Sequence, residues 1–449
     1  MLFRDCPPET RTLLGAQLVF NLGFFAVIPF LAGAMRSDYG LGAAAVGLVL
    51  GARTFSQQGM FLLGGILADR WGARRSILTG CLVRISGYAT LLGASDLPLF
   101  LLGAVLTGAG GALFSPALEA QLSHADQPAP PGTKRRSVFV WLAITGEIGA
   151  VLGPLLGSAL LGWGFDAALT AGIAVFAAVT VLLWWRLPAP PARTDTAPAD
   201  TADTAGRRPS VPSRPALGCL RDRRFLAFCA LGSVNLLAYN QLYFAIPVEL
   251  ERRGLGQAWL GGLFLLASVL TLTLQLPVAG LARRVGSGPT LSAGFALLAA
   301  AFAVAAGTAV HPGGPTAEAV APVLITVAVL VLGHMALTPT ILSLVPEFLH
   351  ARDASGQEDA SGRGNVSGRG AYYGLVATCG GIAVLVGNTV LGRLVDATDR
   401  FQWWAGTPWA PLVLLALLSA VAIPRMLPDR RPPGTSASPS IEHHDEKAS

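Results

Sequence analysis

Charged side chains are scarce in this chain of 449 residues. They make up 13% of the sequence, against 52% hydrophobic residues, whereas soluble domains contain about 25% charged residues. This composition excludes an ordinary soluble domain. The apolar runs are about twenty residues long and are interrupted by Gly and Pro, a length typical of membrane-spanning helices and unlike the alternation of a membrane β-barrel. The composition therefore predicts an α-helical integral membrane protein.

Cysteine and clustered catalytic groups are equally sparse. The five cysteines lie far apart and form no CxxC pair, so neither a metal site nor a disulfide framework is indicated. No clustered nucleophile, HxxxH set or paired-Asp metal set lies within the apolar runs, which argues against a membrane-embedded enzyme. The Gly-rich segment 362–370 lacks the Lys-Ser/Thr of a Walker loop. We therefore expect no metal and no cofactor, and an ion gradient as the energy source.

The apolar runs predict twelve membrane spans. With both termini on one side, the segments on that side hold 25 of the 32 Lys and Arg residues, and the opposite loops hold 5. The positive-inside rule then places both termini in the cytoplasm, and it explains the net charge of +6 without a nucleic-acid partner. Arg4 and Arg11 lead directly into a full-length first span, so no cleavable signal peptide is expected. The expected spans are 12–34, 42–64, 76–94, 97–122, 137–161, 165–187, 224–247, 257–281, 288–310, 321–346, 369–391 and 405–427.

A polar stretch divides the chain into two similar parts. Residues 189–220 contain few large apolar side chains and predict a disordered cytoplasmic linker, as does the tail 428–449. Phe24-Phe-Ala-Val-Ile-Pro-Phe30 resembles Leu242-Tyr-Phe-Ala-Ile-Pro-Val248. We therefore expect two pseudo-symmetric six-helix bundles, 1–188 and 221–427, with a site between them. Chance similarity between Ala- and Leu-rich helices is the alternative.

One predicted span carries an acidic residue beside evenly spaced glycines. Glu147 lies about ten residues from the polar entry, roughly 15 Å deep at 1.5 Å per residue, near the middle of a bilayer. Gly149, Gly153 and Gly157 share one helix face that a neighbouring helix can approach closely. Pro154 withdraws an amide and bends the helix. A carboxylate at this depth is neutral, paired or functional.

The loop Gly65-Ile-Leu-Ala-Asp-Arg-Trp-Gly-Ala-Arg-Arg75 resembles the signature of the major facilitator superfamily. A membrane loop of this kind uses Gly for a tight turn, Asp for a helix-end or Arg contact, and Arg to stay in the cytosol. A weaker copy without the Asp is Gly280-Leu-Ala-Arg-Arg-Val-Gly286. The positive-inside rule alone is an alternative explanation for the arginines of this loop, since it requires positive charge on the cytosolic side. The expected gating residues are Gly65, Asp69, Arg70, Gly72, Arg74 and Arg75.

Two further motifs resemble the twelve-span drug:proton antiporters of that superfamily. Gly149-x3-Gly153-Pro154-x2-Gly157 is similar to an element of its exporters, although Ser158 replaces the last Gly. The run Arg53-x3-Gln57-Gln58-Gly59 resembles a bacterial multidrug-exporter subgroup. In contrast, Ala104 stands where relatives carry an Arg implicated in proton coupling.

The resemblance implies alternating access and export of small amphipathic or drug-like molecules in exchange for protons, by a monomer in the cell membrane. Glu147 is the expected proton carrier, with Arg53, Arg84 and His334 as further coupling candidates. The alternatives are a structural ion pair of Glu147 with one arginine, and a packing role for His334. Another cargo, such as a sugar, siderophore, lipid or metabolite, and a non-transporting sensor also stay open. The expected cavity residues are Gln17, Asn21, Phe24, Phe25, Tyr239, Asn240, Tyr243, Gln275 and Asn388. The alternative is that the polar residues among them join helices and the aromatic residues in the first and seventh spans face lipid.

Overall fold

The computed structural model describes residues 7–125, 138–187, 219–220, 222–310, 320–354 and 367–427. Every regular element in these ranges is helical, as the composition predicts. The predicted tail, and all of the predicted linker except residues 219–220 at its end, lie outside the described residues. The α-helices in chain order are α1 (Pro8–Ser37), α2 (Ala43–Gly59), α3 (Phe61–Trp71), α4 (Ala73–Leu92), α5 (Leu97–Ala125), α6 (Val138–Leu160), α7 (Phe165–Arg186), α8 (Arg223–Gly232), α9 (Val234–Asn240), α10 (Ala245–Arg252), α11 (Ala258–Val285), α12 (Ser287–Thr308), α13 (Val320–Ala354), α14 (Ser367–Phe401) and α15 (Ala410–Ala422).

Ten helical segments of the described chain are long and apolar enough to cross a membrane. The predicted spans 42–64 and 76–94 are not among them. The first is divided at Met60 into α2 and α3. The second, α4, is less apolar because it carries Arg74, Arg75 and Arg84 among small polar residues. The helices α13 and α14 are longer than their predicted spans, with 35 residues each.

The predicted span 224–247 is broken into three pieces, α8, α9 and α10. Between α9 and α10, Phe244 leaves the helical region with φ −120° and ψ −74°, and the Ile246 amide bonds the Gln241 carbonyl at 2.9 Å. Pro247 follows in the first turn of α10, where its missing amide is tolerated. The similar segment around Pro29 lies inside the unbroken helix α1. The two matched sequences therefore adopt different backbones.

Glycines at two matched turns support the internal repeat. Gly72 joins α3 to α4 with φ +82°, and Gly286 joins α11 to α12 with φ +94°. Only glycine adopts such backbone angles without strain. Gly72 belongs to the loop motif and Gly286 ends its weaker copy, so both copies form the same kind of helix-to-helix turn.

The glycine face of α6 packs against α1 as predicted. A Cβ atom added to Gly153 would lie 2.5 Å from the Phe25 Cβ, and one at Gly157 would lie 2.3 Å from the Ala26 carbonyl oxygen. Such distances leave room only for hydrogen. The two helices therefore touch backbone to backbone, and the sequence Leu18–Phe30 of α1 is fixed against α6.

Among the described residues, the segments 1–188 and 221–427 pack most extensively through two helix pairs. Helix α2 packs on α14, where a Cβ at Gly47 would lie 2.2 Å from the Asn388 carbonyl oxygen. Helix α6 packs on α11, where a Cβ at Gly261 would lie 3.1 Å from the Ser158 hydroxyl. These pairs bring α1, α2 and α6 of the first segment close to α9, α11 and α14 of the second.

Candidate substrate-transport site

Two arginines lie beside one phenylalanine ring inside the first segment. The Arg53 Cζ is 4.5 Å and the Arg84 Cζ is 5.4 Å from the centroid of Phe24. Arg84 also lies 4.2 Å from the Phe20 ring and 5.5 Å from the Phe176 ring. The two arginines are only 6% and 1% exposed. Aromatic faces stabilise guanidinium groups through their negative potential, so these rings stabilise both cations by cation–π contacts.

The polar contacts of these arginines are neutral and incomplete. Arg53 Nη2 donates to Gln57 Oε1 at 2.6 Å, and Arg84 Nε donates to the Thr107 carbonyl at 3.2 Å. The buried Arg53 Nε and Arg84 Nη1 have no hydrogen-bond partner. Across the described residues, no ion pair within 4.0 Å involves Arg53 or Arg84. Two positive charges are therefore held without a counter-charge from any residue that the structure describes.

Glu147 lies on α6, opposite residues of the second segment. It is half-buried, and its carboxylate is within electrostatic reach of Tyr239 and Tyr243. The alternative, a structural ion pair with Arg53 or Arg84, is not formed in this structure, because neither guanidinium lies within 4.0 Å of the Glu147 carboxylate. The acid therefore lies within electrostatic range of two tyrosine rings and has no ion-pair partner among the described residues.

A continuous series of aromatic rings crosses the contact between the two segments. It runs from Phe24 to Phe25 (centroids 5.0 Å apart), to Phe264 on α11 (6.3 Å), to Tyr243 (5.2 Å) and to Tyr239 (6.5 Å). We call these five residues the aromatic row. Rings of this kind provide the apolar lining that small-molecule sites commonly have. The row connects the arginine pair of the first segment with the polar residues of the second.

His334 closes the far end of the aromatic row. Its ring stacks on Tyr239 with centroids 4.0 Å apart, and its Nδ1 lies 2.9 Å from the Asn235 Oδ1. Thr338 lies 3.3 Å from Nε2 and accepts a bond from the Asn235 amide at 3.0 Å. The imidazole is therefore held by neutral partners, as the packing alternative anticipates.

Asn240 and Asn388 join helices in this structure. The Asn388 amide donates to Asn240 Oδ1 at 2.8 Å, Asn240 donates to Thr54 at 3.2 Å, and Gln241 donates to Asn388 Oδ1 at 3.0 Å. All four side chains are buried. This chain of bonds ties α2, α9 and α14 together, so the prediction that the two asparagines line a cavity does not describe this conformation.

The other predicted polar cavity residues lie in three different environments. Asn21 lies against α6, where a Cβ at Gly149 would be 2.6 Å from its Cβ. The Gln17 Oε1 is buried without a hydrogen-bond partner. Gln275 lies on α11 among exposed apolar residues, and no hydrogen bond to another described residue places it near the aromatic row.

The predicted gating residues lie on α3, on α4 and at the turn between them. Arg74 Nη2 donates to the Trp184 carbonyl at 2.7 Å, and its Cζ lies 5.4 Å from that indole, which attaches this end of α4 to α7. Gly65 has free space around it, and Arg70 and Arg75 are exposed. The Asp69 side chain lies outside the described part of the structure, so its predicted contact stays a prediction.

Polar contacts between the two segments are found at the end where α1 finishes and α2 starts. Arg36 Nε donates to Glu251 Oε2 at 2.6 Å. The Asp396 carboxylate of α14 accepts bonds from the Ala43 and Ala44 amides at 2.8 and 2.9 Å. Acidic side chains at a helix N-terminus satisfy its free amides and favour its dipole. We call this set the cross-segment contacts.

Several site residues carry no sequence signal that sets them apart. Phe264, Phe20 and Phe176 resemble the other apolar residues of their spans, and Thr54 and Gln57 are polar residues inside the predicted span 42–64. Only Gln57 belongs to a noted motif. No group of three or more His, Cys, Asp or Glu that could hold a metal ion occurs among the described residues.

The site thus combines buried arginines of the first segment with aromatic rings that cross the contact of two helical segments. The family model for the Major Facilitator Superfamily matches residues 13–357. The chain belongs to this superfamily. It is therefore a multi-pass membrane transporter and not an enzyme.

Relatives and solved structures agree with this assignment. The chain is 31% identical over 428 residues to an uncharacterized MFS-type transporter of Mycobacterium tuberculosis (strain H37Rv), covering 95% of this chain and 94% of the relative. It is also 31% identical over 268 residues to the multidrug resistance protein MdtH of Klebsiella pneumoniae (strain 342), covering 60% and 62%. The nucleoside transporter NupG has a TM-score of 0.70 at 14% identity, covering 94% and 99%. An auto-inhibited POT family peptide transporter has a TM-score of 0.67 at 18% identity, covering 95% and 99%. The two structures support the fold alone.

Proposed function

We propose that this transporter exports small amphipathic molecules in exchange for protons, by alternating access between two six-helix bundles. Helices α2 with α3, and α4, serve as the second and third of twelve spans. The bundles are 1–188 and 221–427, joined by the linker 189–220 and followed by the tail 428–449. The protein is a monomer in the cell membrane with both termini in the cytoplasm.

The observation that carries this proposal is the unpaired position of Glu147 beside the aromatic row. A carboxylate inside the membrane is costly unless it is paired, neutralised or used in a cycle. Among the described residues no cation lies within 4.0 Å of Glu147, and Tyr239 and Tyr243 of the other segment are within its electrostatic range. Proton uptake from outside would neutralise it, weaken its hold on a polar cargo and favour the return movement. The likeness to MdtH, whose name describes multidrug resistance, supports drug-like cargo.

The cross-segment contacts fit a state that is closed on the outside. With both termini cytoplasmic, the end of α1 and the start of α2 face outward. Arg36 with Glu251, and Asp396 with the amides of α2, join the bundles at that end. The cycle we propose breaks these contacts when the aromatic row opens to the outside.

The test is proton-driven efflux of rhodamine 123 in inverted membrane vesicles, with and without a pH gradient. We expect Glu147→Gln to abolish the gradient-dependent part, because the group that carries the proton is lost. Glu119→Gln is the matched control, since Glu119 is an exposed acid of α5 away from the aromatic row, and it should transport normally. Unchanged gradient-driven efflux in Glu147→Gln would reject the coupling role.

A further inference from the structure

We propose that Arg53 and Arg84 form the binding site for an anionic group of the cargo, so that the exported molecules include amphipathic anions such as carboxylates and sulfonates. This inference rests on the proposed export function and names the charge of the cargo at the same site.

The two guanidinium groups are close enough to act on one ligand. Both lie against the Phe24 ring, at 4.5 and 5.4 Å from its centroid, so their Cζ atoms are at most about 10 Å apart. Arg53 is also within electrostatic reach of Arg84 and of Tyr243 in the aromatic row. An apolar ligand body along the row would thus place one end beside Arg53.

The charge of this pair is uncompensated by the protein. Its hydrogen bonds go to the Gln57 amide oxygen and the Thr107 carbonyl, and both acceptors are neutral. One buried nitrogen of each guanidinium, Arg53 Nε and Arg84 Nη1, has no acceptor. Buried cations in a membrane are paired or belong to a ligand path. The planar guanidinium suits carboxylate and other oxyanions, so an anionic group supplies both the missing charge and the missing acceptors.

Glycines of α5 make the space that the two arginines occupy. A Cβ at Gly111 would lie 2.4 Å from Arg84 Nη2, and a Cβ at Gly108 would lie 2.2 Å from the Arg53 carbonyl oxygen. A larger residue at Gly111 would displace the Arg84 guanidinium, and one at Gly108 would push the backbone of α2 that carries Arg53 away from α5. Arg84 is 1% exposed, so in this proposal its positive charge attracts the anion without touching it. Arg53 is 6% exposed and lies closer to the Phe24 ring, so its guanidinium contacts the anion.

The test measures binding to the full-length protein in nanodiscs without a pH gradient. Fluorescein and rhodamine 123 share a xanthene ring system but carry opposite charge at neutral pH. We expect fluorescein binding, followed by fluorescence anisotropy, to weaken about tenfold or more in Arg53→Gln, as is typical for the loss of a hydrogen bond to a charged group. Arg53→Lys should retain part of the affinity. Arg186→Gln, which removes an exposed charge at the end of α7, should have no effect.

A second variant tests the buried arginine without deleting it. Gly111→Ala moves the Arg84 guanidinium. It should weaken the binding of fluorescein more than the binding of rhodamine 123, in a sample whose thermal unfolding stays cooperative.

Equal fluorescein affinity in wild type and Arg53→Gln, or a wild type that binds rhodamine 123 alone, would overturn the inference. Arg53-dependent fluorescein binding without gradient-driven efflux would leave this site in place and reject proton-coupled export. Proton-driven efflux of cationic dyes without any binding of fluorescein would support proton-coupled export and reject the anion site.

Discussion

The Asp396 carboxylate, near the end of α14, caps the N-terminus of α2 by accepting the Ala43 amide at 2.8 Å, and its second oxygen accepts the Ala44 amide at 2.9 Å. Asp396 and Ala43 are 353 positions apart in the chain. The cap satisfies amides that have no partner within their own helix. It also joins the two segments, so its loss should change the conformational equilibrium as well as the stability of α2.

Asp396→Ala should shift the protein toward the state that is open at this end. Loss of a capping side chain costs about 1 kcal/mol, and a difference of that size changes a two-state population about fivefold. Spin labels at Asp38 and Arg400, both exposed at this end, should show a larger share of long distances. Asp399→Asn is the control, since Asp399 pairs with Arg252 of its own segment. An unchanged distance distribution in Asp396→Ala would mean that the cap does not hold this end closed.

Gly153→Ala should disturb the contact of α6 with α1. The added Cβ would lie 2.5 Å from the Phe25 Cβ and 2.9 Å from the Leu22 carbonyl oxygen, so the helices must separate. Overpacking of this kind costs about 1 to 3 kcal/mol. We expect a lower thermal unfolding temperature in detergent and weaker dye binding, because Phe25 belongs to the aromatic row. Gly262→Ala has open space around it and should be neutral. A variant at Gly153 that unfolds like wild type would contradict the close packing.

Asn388→Ala should destabilise the bundle contact through groups left unpaired. The substitution removes the acceptor of Gln241 and the donor to Asn240, both of which are buried. Each unsatisfied buried polar group costs about 1 to 3 kcal/mol. Thermal unfolding of Asn388→Ala, Asn240→Ala and the double variant should be non-additive, since both residues belong to one network. Thr389→Val serves as the control, because Thr389 bonds only the Leu385 carbonyl of its own helix. Additive effects would show that the two asparagines act separately.

The pH dependence of efflux should distinguish Glu147 from His334. His334 is held by Asn235 and Thr338, which are neutral, and it lies beyond Tyr239 at the end of the row. His334→Gln should therefore lower transport and stability while keeping the pH profile of rhodamine 123 efflux. Glu147→Gln should flatten that profile, because proton and cargo no longer compete for one group. A profile that changes in His334→Gln and not in Glu147→Gln would assign the proton role to the histidine.

The sequence predicted the helical class, most spans and the close approach at Gly149, Gly153 and Gly157, since these follow from hydropathy and from residue size. It also predicted the two turn glycines, Gly72 and Gly286. It did not predict the break between α9 and α10, because Pro247 resembles Pro29, which an intact helix accommodates. Whether the helix breaks or stays intact near such a proline depends on tertiary contacts, which the local sequence pattern does not show.

The site was predictable only where a residue is unusual for its place. A charged side chain in an apolar run identifies Glu147, Arg53 and Arg84 without a structure. Phe264 is one of 20 phenylalanines and nothing in its neighbourhood distinguishes it, although it connects Phe25 to Tyr243. Which of Arg53 and Arg84 pairs with Glu147 was a question of distance, and the structure answers that neither does.

The interruption at residues 241–244 makes the two halves of the molecule mechanically unequal. Helix α1 continues past Pro29 as one helix of 30 residues. Its counterpart is interrupted beside Tyr243 and continues as the eight-residue helix α10, whose Glu251 pairs with Arg36. Bending at a joint needs fewer broken helical bonds than bending a rod. We therefore expect the second segment to bend more easily than the first at this end, and the opening that we propose to start with a small rotation of α10 while α1 stays straight.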